Sequence, residues 1–371
     1  LALADYKIIA STRNAEETVK AAGEFNKKLR INGVMTLAND VPLTVARVAE
    51  ELGLPGITVA SARLASDKLA MKEKFSSDGV PVPEFREVFS SKDVAGAAND
   101  WGFPVVIKPV DGRGARGVLR LIPSTDLDWA FTRARDISEQ KRVMVERFIE
   151  GLQLSTESMV YQGQCYTASW SQRNYEFLDR FAPYIIENGG VLPADLSNED
   201  IDSVEKIVAQ AATSLGIENG SVKGDIVMDK DGPKVIELAA RLSGGYLATD
   251  QIPLARGVDL VKQTIKLALG ESLDVAELIP RDLCKLGIRY FFPEPGRIAA
   301  IHGFDELDRF EWITKKMLSY RVGDVVEPVT DHTKRSGFVH TRGETFKEAE
   351  ERAIYAASTV KIETVPVSVG V

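Results

Sequence analysis

Lys108-Pro109-Val110-Asp111-Gly112-Arg113-Gly114-Ala115-Arg116-Gly117 is the stretch on which the fold turns. Gly112, Gly114 and Gly117 spell G-x-G-x-x-G. A dinucleotide-binding fingerprint needs a helix directly after that loop, so that phosphate sits on the helix N-terminus. Here Val118-Leu-Arg-Leu-Ile122 follows, which reads as a strand. Pro104-Val-Val-Ile-Lys-Pro109 precedes it, a buried-strand run with one lysine inside. A glycine-rich loop between two antiparallel strands reads instead as a flap over nucleotide phosphates. Glycines let backbone N–H groups approach oxyanions without a Cβ clash. Lys108 sits in an apolar strand, where an unpaired ammonium is costly and a phosphate would relieve the cost. The alternative is a mobile glycine hairpin whose lysine snorkels to solvent.

Upstream of the loop, Tyr6–Ala10 and Gly33–Leu37 read as strands, each followed by a helical stretch; Val45, Val48, Ala49 and Leu52 recur at helical spacing. That alternation predicts α/β structure with parallel strands. Ser66 is expected to cap a helix running to about Ser76, and Val80-Pro-Val-Pro83 is a linker that cannot be helical. Ser90–Asn99 and Thr125–Ser138 read as capped helices, and Val143–Glu146 as a strand. Downstream, Ser155–Trp170 reads as strand, turn at Gly163, strand. Ile201 to Leu215 carry a helical stripe. Val222–Met228 and Lys234–Leu238 are strands joined by the Asp229-Lys-Asp-Gly232 turn signal. Val258–Leu269 reads as a helix, Thr345 and Glu348 form a capping box for a last one, and Thr364–Val371 reads as a loose tail.

Two further constellations lie on these elements. Asp225 and Glu237 stand on two apolar strands across one hairpin, and facing carboxylates repel unless a cation lies between them. Carboxylates with nucleotide phosphates make a Mg²⁺ site. Lys223 shares the face of Asp225, Arg241 lies four residues after Glu237, and Ser243-Gly244-Gly245 gives an N–H-rich loop. Taken singly, either carboxylate also reads as a solvent-facing position of an amphipathic hairpin. The third constellation is Glu146-Arg147-Phe148-Ile149 with Gln153, where a strand ends in a hydrophobic linker. Such a hinge can offer backbone groups to a purine edge and apolar side chains to its faces; alone it reads as a simple strand exit.

The 371 residues allow two or three domains and a core without staples. With 46 Lys and Arg against 54 Asp and Glu, the formal charge of −8 disfavours nonspecific nucleic-acid or membrane-surface binding. Two cysteines cannot make a disulfide framework, so a cytoplasmic setting is expected. Three histidines make a zinc cluster a poor fit, and any metal should be hard and carboxylate-bound. No apolar run approaches membrane-spanning length. The chain opens on Leu1. A doubly wound unit would carry a strand and helix before that point, so roughly 30 to 50 upstream residues are expected.

Asp67-Lys68, Val80–Pro83, Lys108 in its strand, the glycine loop, Glu146 and the Asp225/Glu237/Arg241 array occur together in this order. The ordered set resembles the ATP-grasp superfamily of carboxylate–amine and carboxylate–thiol ligases, closely over residues 60 to 270. The preceding unit resembles that superfamily's N-terminal Rossmann-like domain, apparently truncated. The tail resembles the C-terminal α+β lobe of its biotin-carboxylase and amino-acid-ligase branches. The implied fold is α/β and α+β, in four segments: 1–65, 66–145, 146–270 and 271–371. The resemblance implies two subdomains clamping ATP. Lys68 and Lys108 would contact phosphates under the loop of Gly112, Gly114 and Gly117. Glu146 would bind the adenine amino group with main-chain help near Arg147 and Ile149, and Gln153 falls where many members have a ribose-binding Glu. Asp225 and Glu237 would hold Mg²⁺, or Mn²⁺. Arg241 would face the developing acyl phosphate, and Lys223 the transferred phosphoryl group. Many members read Glu-x-Asn at the second metal position, and this chain reads Glu237-Leu-Ala239. Carboxyaminoimidazole ribonucleotide synthetases resemble it there, so the change does not by itself imply a dead enzyme.

The function implied is an ATP-dependent ligase that activates a carboxylate as an acyl phosphate and joins it to an amine. Its partners are small-molecule carboxylate and amine substrates, with no nucleic acid and no membrane; a homodimer is admitted. Glu157 and Arg173, with Ser243, Gly244 and Gly245, are the substrate-orienting candidates, though Glu157 and Arg173 read equally as surface salt-bridge residues. Arg113 and Arg116 read as phosphate contacts or solvated side chains. A bicarbonate-using, carbamoyl-phosphate-type enzyme and a non-catalytic nucleotide-binding module are the rival readings.

Overall fold

The computed structural model describes residues 3–367. Leu1, Ala2 and the tail residues 368–371 lie outside the described residues. By contacts the chain divides into two units, each built from three segments. The first holds Leu1–Val82, Ser155–Trp170 and Leu196–Asp282; the second holds Pro83–Leu154, Ser171–Asp195 and Leu283–Val371. The first break falls inside the Val80–Pro83 linker.

In the first unit, helices Ala15–Asn26 and Pro42–Leu52 pack on one another. The strands expected beside them do not form: among the described residues, no strand precedes Phe85–Val88. A parallel strand is stabilised by burial and by ladders on its neighbours. Tyr6 is instead 64% exposed and Ile9 91% exposed, so Tyr6–Ala10 has neither. Gly33–Leu37 likewise joins no ladder.

Ser66 does not cap a helix either. Its hydroxyl donates to the Ala62 carbonyl at 2.7 Å and so closes the preceding helix, Val59–Ser66. The cap of Lys68–Ser77 is Asp67, whose Oδ1 accepts from the Leu69 and Ala70 N–H groups at 3.0 Å. A carboxylate there also meets the positive end of the helix dipole, and such a cap contributes about 1 kcal/mol. Helix Asn198–Ser214 packs the stripe Val204, Ile207, Val208 and Ala211 toward the hairpin Gly220–Asp229/Gly232–Ala239. Gly232 takes φ +105° in the turn, and Lys234 donates to Asp229 across it.

In the second unit, strands Phe85–Val88, Val143–Arg147, Val105–Pro109 and Leu119–Leu121 pair antiparallel in that order. Helices Ser91–Trp101 and Leu127–Ile137 cover them over a core of Val94, Val105, Ile107, Leu119, Ala130 and Val145. Ser90 caps the first as expected. The second is capped by Asp126, not Thr125, because the Thr125 hydroxyl accepts from the Ile122 N–H and closes the preceding turn. A second sheet runs Ile313–Leu318, Gly337–Gly343, Lys285–Tyr290, Gly190–Leu192 and the end of Gln164–Arg173. Helix Phe346–Thr359 packs on it, started by the Thr345/Glu348 box: the Glu348 N–H donates to Thr345 Oγ1 at 3.2 Å. Lys361–Val365 pairs antiparallel with Gly296–His302, so Thr364 and Val365 belong to a strand rather than a loose tail.

Candidate functional site

The acidic pair is built by a hairpin with one irregularity. Asp229 pairs with Gly232, and the ladder runs evenly to Ile226 opposite Val235. Continued evenly, it would set Asp225 against Ile236 and put Glu237 opposite Gly224. A register shift between Asp225 and Ile226 places Asp225 directly opposite Glu237 instead. A bulge re-aims a side chain in this way, and bulges gather near functional sites. Each carboxylate has a lysine partner. Lys223 pairs with Asp225, and Lys68, the first residue of its helix, lies 3.1 Å from Glu237. The two facing carboxylates are balanced here by two ammonium groups, which a bound cation would displace or share. Hard oxygens on adjacent strands fit a Mg²⁺ that takes its remaining ligands from phosphate and water. Among the described residues no cluster of three Asp, Glu, His or Cys offers a full protein cage. Ala239 is buried opposite Lys223 and brings no donor.

Beside this pair lies a second charged group of the first unit. Glu157 is fully buried on strand Leu152–Tyr161 and accepts from the Ser243 N–H at 3.1 and 3.3 Å. Burial pushes its pKa up to about 7, against the pull of Ser243, Lys223 and Arg241. Arg241 donates to the Leu242 carbonyl at 3.1 Å and lies 3.4 Å from Asp40. Burial opposes its charge, but Asp40, Glu237 and Glu157 outweigh that and raise its pKa. No sequence signal marks Asp40. It follows the segment Gly33–Leu37, and only the folded chain brings it to Arg241. The loop Ser243-Gly244-Gly245 is pinned twice: by Glu157 at its start and by Gln251, whose amide donates to the Gly245 carbonyl at 2.9 Å. A π-helical turn, Leu247–Gln251, holds Gln251 there, and Tyr246 before it takes φ +62°. Sequence periodicity carries no signal for that turn.

The second unit carries the residues expected to face a nucleotide. Lys108 and Glu146 are both buried and pair directly, from neighbouring strands. The lysine is therefore not an unpaired ammonium in an apolar strand, because Glu146 already balances it. The glycine loop needs its glycines for two reasons. A Cβ on Gly112 would stand 2.5 Å from Pro109 Cγ, while Gly114 and Gly117 take φ +61° and +74°. Ala115 takes φ +62° between them, a conformation that costs an L-residue roughly 1–2 kcal/mol. Arg116 folds back to donate to the Arg113 carbonyl at 3.1 Å. At the hinge, Ile149 is buried and Gln153 half-buried. Arg147 is exposed and pairs with Glu84 at 3.1 Å, and its N–H donates to the Glu84 carbonyl at 2.9 Å. That donor is engaged, which leaves the expected main-chain help to the other groups of the hinge. Arg173 ends strand Gln164–Arg173 and lies 3.6 Å from Glu187.

Residues 65–245 match the ATP-grasp domain family, and residues 289–365 match the L-amino acid ligase C-terminal domain 2. Residues 65–245 thus form an ATP-grasp domain. The chain's C-terminal lobe is of the kind found in L-amino acid ligases. The crystal structure of an L-amino acid ligase from Bacillus licheniformis superposes with a TM-score of 0.82 at 23% identity, covering 95% of this chain and 85% of that one. A D-alanine–D-alanine ligase from Ralstonia pickettii is 26% identical over 243 residues, 62% of this chain and 72% of that protein. An uncharacterized protein of Sinorhizobium fredii, y4rH, is 25% identical over 334 residues, 88% of this chain and 67% of that protein. Among the described residues no helix is long and apolar enough to cross a membrane.

Proposed function

We propose that the chain is an ATP-dependent carboxylate–amine ligase that activates an organic carboxylate as an acyl phosphate and joins it to an amine, releasing ADP and phosphate. The observation that carries this reading is the bulged hairpin that sets Asp225 against Glu237 beside Lys223, Lys68 and Arg241. Phosphoryl transfer asks the protein for positioning and charge neutralisation more than for covalent chemistry. Asp225 and Glu237 would hold Mg²⁺, which when bound draws charge from phosphate oxygens.

Lys68, Lys108 and the N–H groups of the Gly112–Gly117 loop bind the phosphates in this reading. Glu146, Arg147, Ile149 and Gln153 serve the adenosine. Binding nucleotide asks Lys108 to share its charge between Glu146 and a phosphate. Arg241 donates toward the carboxylate oxygens as they become an acyl phosphate, and Lys223 toward the transferred group. Glu157, Ser243, Gly244, Gly245 and Arg173 orient the substrates. Exclusion of water protects an acyl phosphate from hydrolysis. The Bacillus licheniformis and Ralstonia pickettii proteins are named as amino-acid ligases, which supports amino acids as the first substrates to try.

The test is ADP and phosphate release with ATP, Mg²⁺ and pairs of amino acids or other amines, with and without bicarbonate. Release that requires an amine and a carboxylate together supports the reading. Release that requires bicarbonate alone would replace it with a carboxyphosphate-forming activity, and nucleotide binding with no release under any pair would refute it.

A further inference from the structure

In the four-stranded sheet of the second unit, pairing sets Val106 opposite Arg120 on one side and opposite Glu146 on the other. Residues directly opposite across a sheet point to one face, and so do residues two apart on one strand. Arg120, Glu146 and Lys108 therefore share a face. The other face carries Val105, Ile107, Leu119, Leu121 and Val145, which are buried in the core under the helices. Arg120 is thus a third charged side chain on the face that bears the Lys108–Glu146 pair. Neither the phosphate-binding nor the metal-binding residues of the proposed site include it.

The surroundings of Arg120 show what holds it. Its guanidinium carbon lies over the Phe148 ring, 5.3 Å from the centroid. Its Nη1 donates to Asp179 Oδ1 at 3.3 Å, but the Asp179 side chain is 97% exposed. An ion pair with so exposed a partner contributes little. Arg120 Nε is buried and makes no hydrogen bond among the described residues. The aromatic ring is therefore the principal partner of the guanidinium. The backbone beneath the arginine is anchored: its N–H donates to the Pro183 carbonyl at 2.8 Å, and Leu119 bridges to Tyr184. Phe148 is half-buried and lies just past the end of strand Val143–Arg147, where its N–H donates to the Pro104 carbonyl at 3.3 Å. A cation stacked on an aromatic face restrains both groups, and here the strand-held arginine restrains the ring of the hinge.

We infer that Arg120 is a positioning residue for the nucleotide base, holding the Phe148 ring as one wall of the base site. The inference rests on the nucleotide face of the ligase reading above. Phe148 follows Glu146 by two residues and its ring reaches Arg120, so it stands on the Lys108–Glu146 face, beside the acid assigned to the base. The ring face turned from Arg120 is then the one offered to a purine. The rival reading makes Arg120 a cation for phosphate. The two part on whether the effect of losing Arg120 depends on Phe148.

The experiment measures ATP and CTP affinity with Mg²⁺, by equilibrium dialysis, for the wild type, Arg120→Met, Phe148→Leu, the double variant, Arg120→Lys and Asp179→Asn. Arg120→Met keeps the length of the side chain and removes its charge. It should weaken ATP binding roughly 3- to 10-fold, from the loss of one cation–aromatic contact. Arg120→Lys should restore part of that loss, and Asp179→Asn should stay within about twofold of wild type. The double variant should bind ATP no more weakly than Phe148→Leu alone, because the arginine acts through the ring. A pyrimidine overlaps less of the ring, so the wild-type preference for ATP over CTP should shrink in Arg120→Met. Unchanged ATP affinity in Arg120→Met overturns the inference. Additive losses in the double variant, or equal weakening of ATP and CTP, overturn it too and make Arg120 a phosphate cation or a packing residue. A loss in Asp179→Asn as large as in Arg120→Met overturns it as well, since the arginine would then act through segment 174–189. Arg120→Gln supplies the same comparisons should Arg120→Met fail to accumulate. No ATP binding by the wild type refutes the ligase reading instead.

Discussion

Glu146→Gln isolates the buried Lys108–Glu146 pair. The substitution keeps the shape of the side chain and removes its charge. Lys108 is 5% exposed and Glu146 3% exposed, so water cannot compensate the ammonium that remains. Breaking one side of such a pair costs about 3–5 kcal/mol, because a buried charge is left without its partner. For a unit of 150–250 residues each kcal/mol lowers Tm by about 2–4 °C, so the expected fall is roughly 6–20 °C. The companion variant Lys108→Met/Glu146→Leu removes both charges and should recover most of that loss. Thermal unfolding of wild type, Lys108→Met, Glu146→Leu and the double variant closes the cycle and gives the coupling. A fall of less than about 2 °C in Glu146→Gln, or a double variant no more stable than the single ones, would refute the reasoning. Either result would mean that the pair does not neutralise Lys108 and that the lysine is solvated or balanced elsewhere.

Other outcomes follow from the same geometry. Glu237→Gln should abolish ADP release while nucleotide binding, measured by equilibrium dialysis, persists through Lys108 and the glycine loop; full turnover would sink the Mg²⁺ assignment. Asp40→Asn should lower kcat about 3- to 10-fold by loosening Arg241, with KM for ATP nearly unchanged, measured by steady-state kinetics. Gly190→Ala should prevent accumulation of folded protein, because its Cβ would fall 1.8 Å from the Gln172 carbonyl oxygen at φ +156°; a soluble variant of wild-type Tm would contradict this. Glu157 has a folded-state pKa of about 7 against an ordinary 4.5, so between those values the folded chain binds the extra proton. Stability should therefore fall as pH rises from about 4.5 to about 7, by on the order of 3 kcal/mol. Denaturant unfolding of Glu157→Gln across that range should lack the slope.

The legible parts of the fold were those with local causes. Ser90 and Thr345 start helices because their hydroxyls reach an N–H three residues on, and Asp231-Gly232 makes a hairpin because glycine takes the turn's backbone angle. The glycine loop was legible because a strand, and not a helix, follows it. Tyr6–Ala10 misled because an apolar run says nothing about whether a neighbouring strand is there to pair with it. Asp67 displaced Ser66 as a cap because both residue types cap equally well, and the choice depends on where the preceding helix ends. At the site, residue types and order were readable, since Lys, Glu and Asp in apolar strands are conspicuous. The facing of Asp225 and Glu237 was inferred rightly from the hairpin, yet it depends on a bulge for which the sequence has no local mark. Asp40 and Gln251 carry no sequence signal, because Asp40 matters through a partner far away in the chain and Gln251 through an irregular turn.

Neither unit is a continuous stretch of chain, and this bears on how the protein is made. Chains are synthesised from the N-terminus, and domains tend to fold as they emerge. The first unit has all its segments only once Asp282 has been added. By then Pro83–Leu154 and Ser171–Asp195 have been out of the ribosome for some time, without the Leu283–Val371 strands that complete their sheet. Translation thus holds the second unit's earlier segments in waiting while the first unit closes. Pausing of the ribosome just after Asp282 is where a nascent chain would be most exposed to chaperones and proteases. Fragments cut after Leu154, Trp170 or Asp195 would leave both units short of a segment.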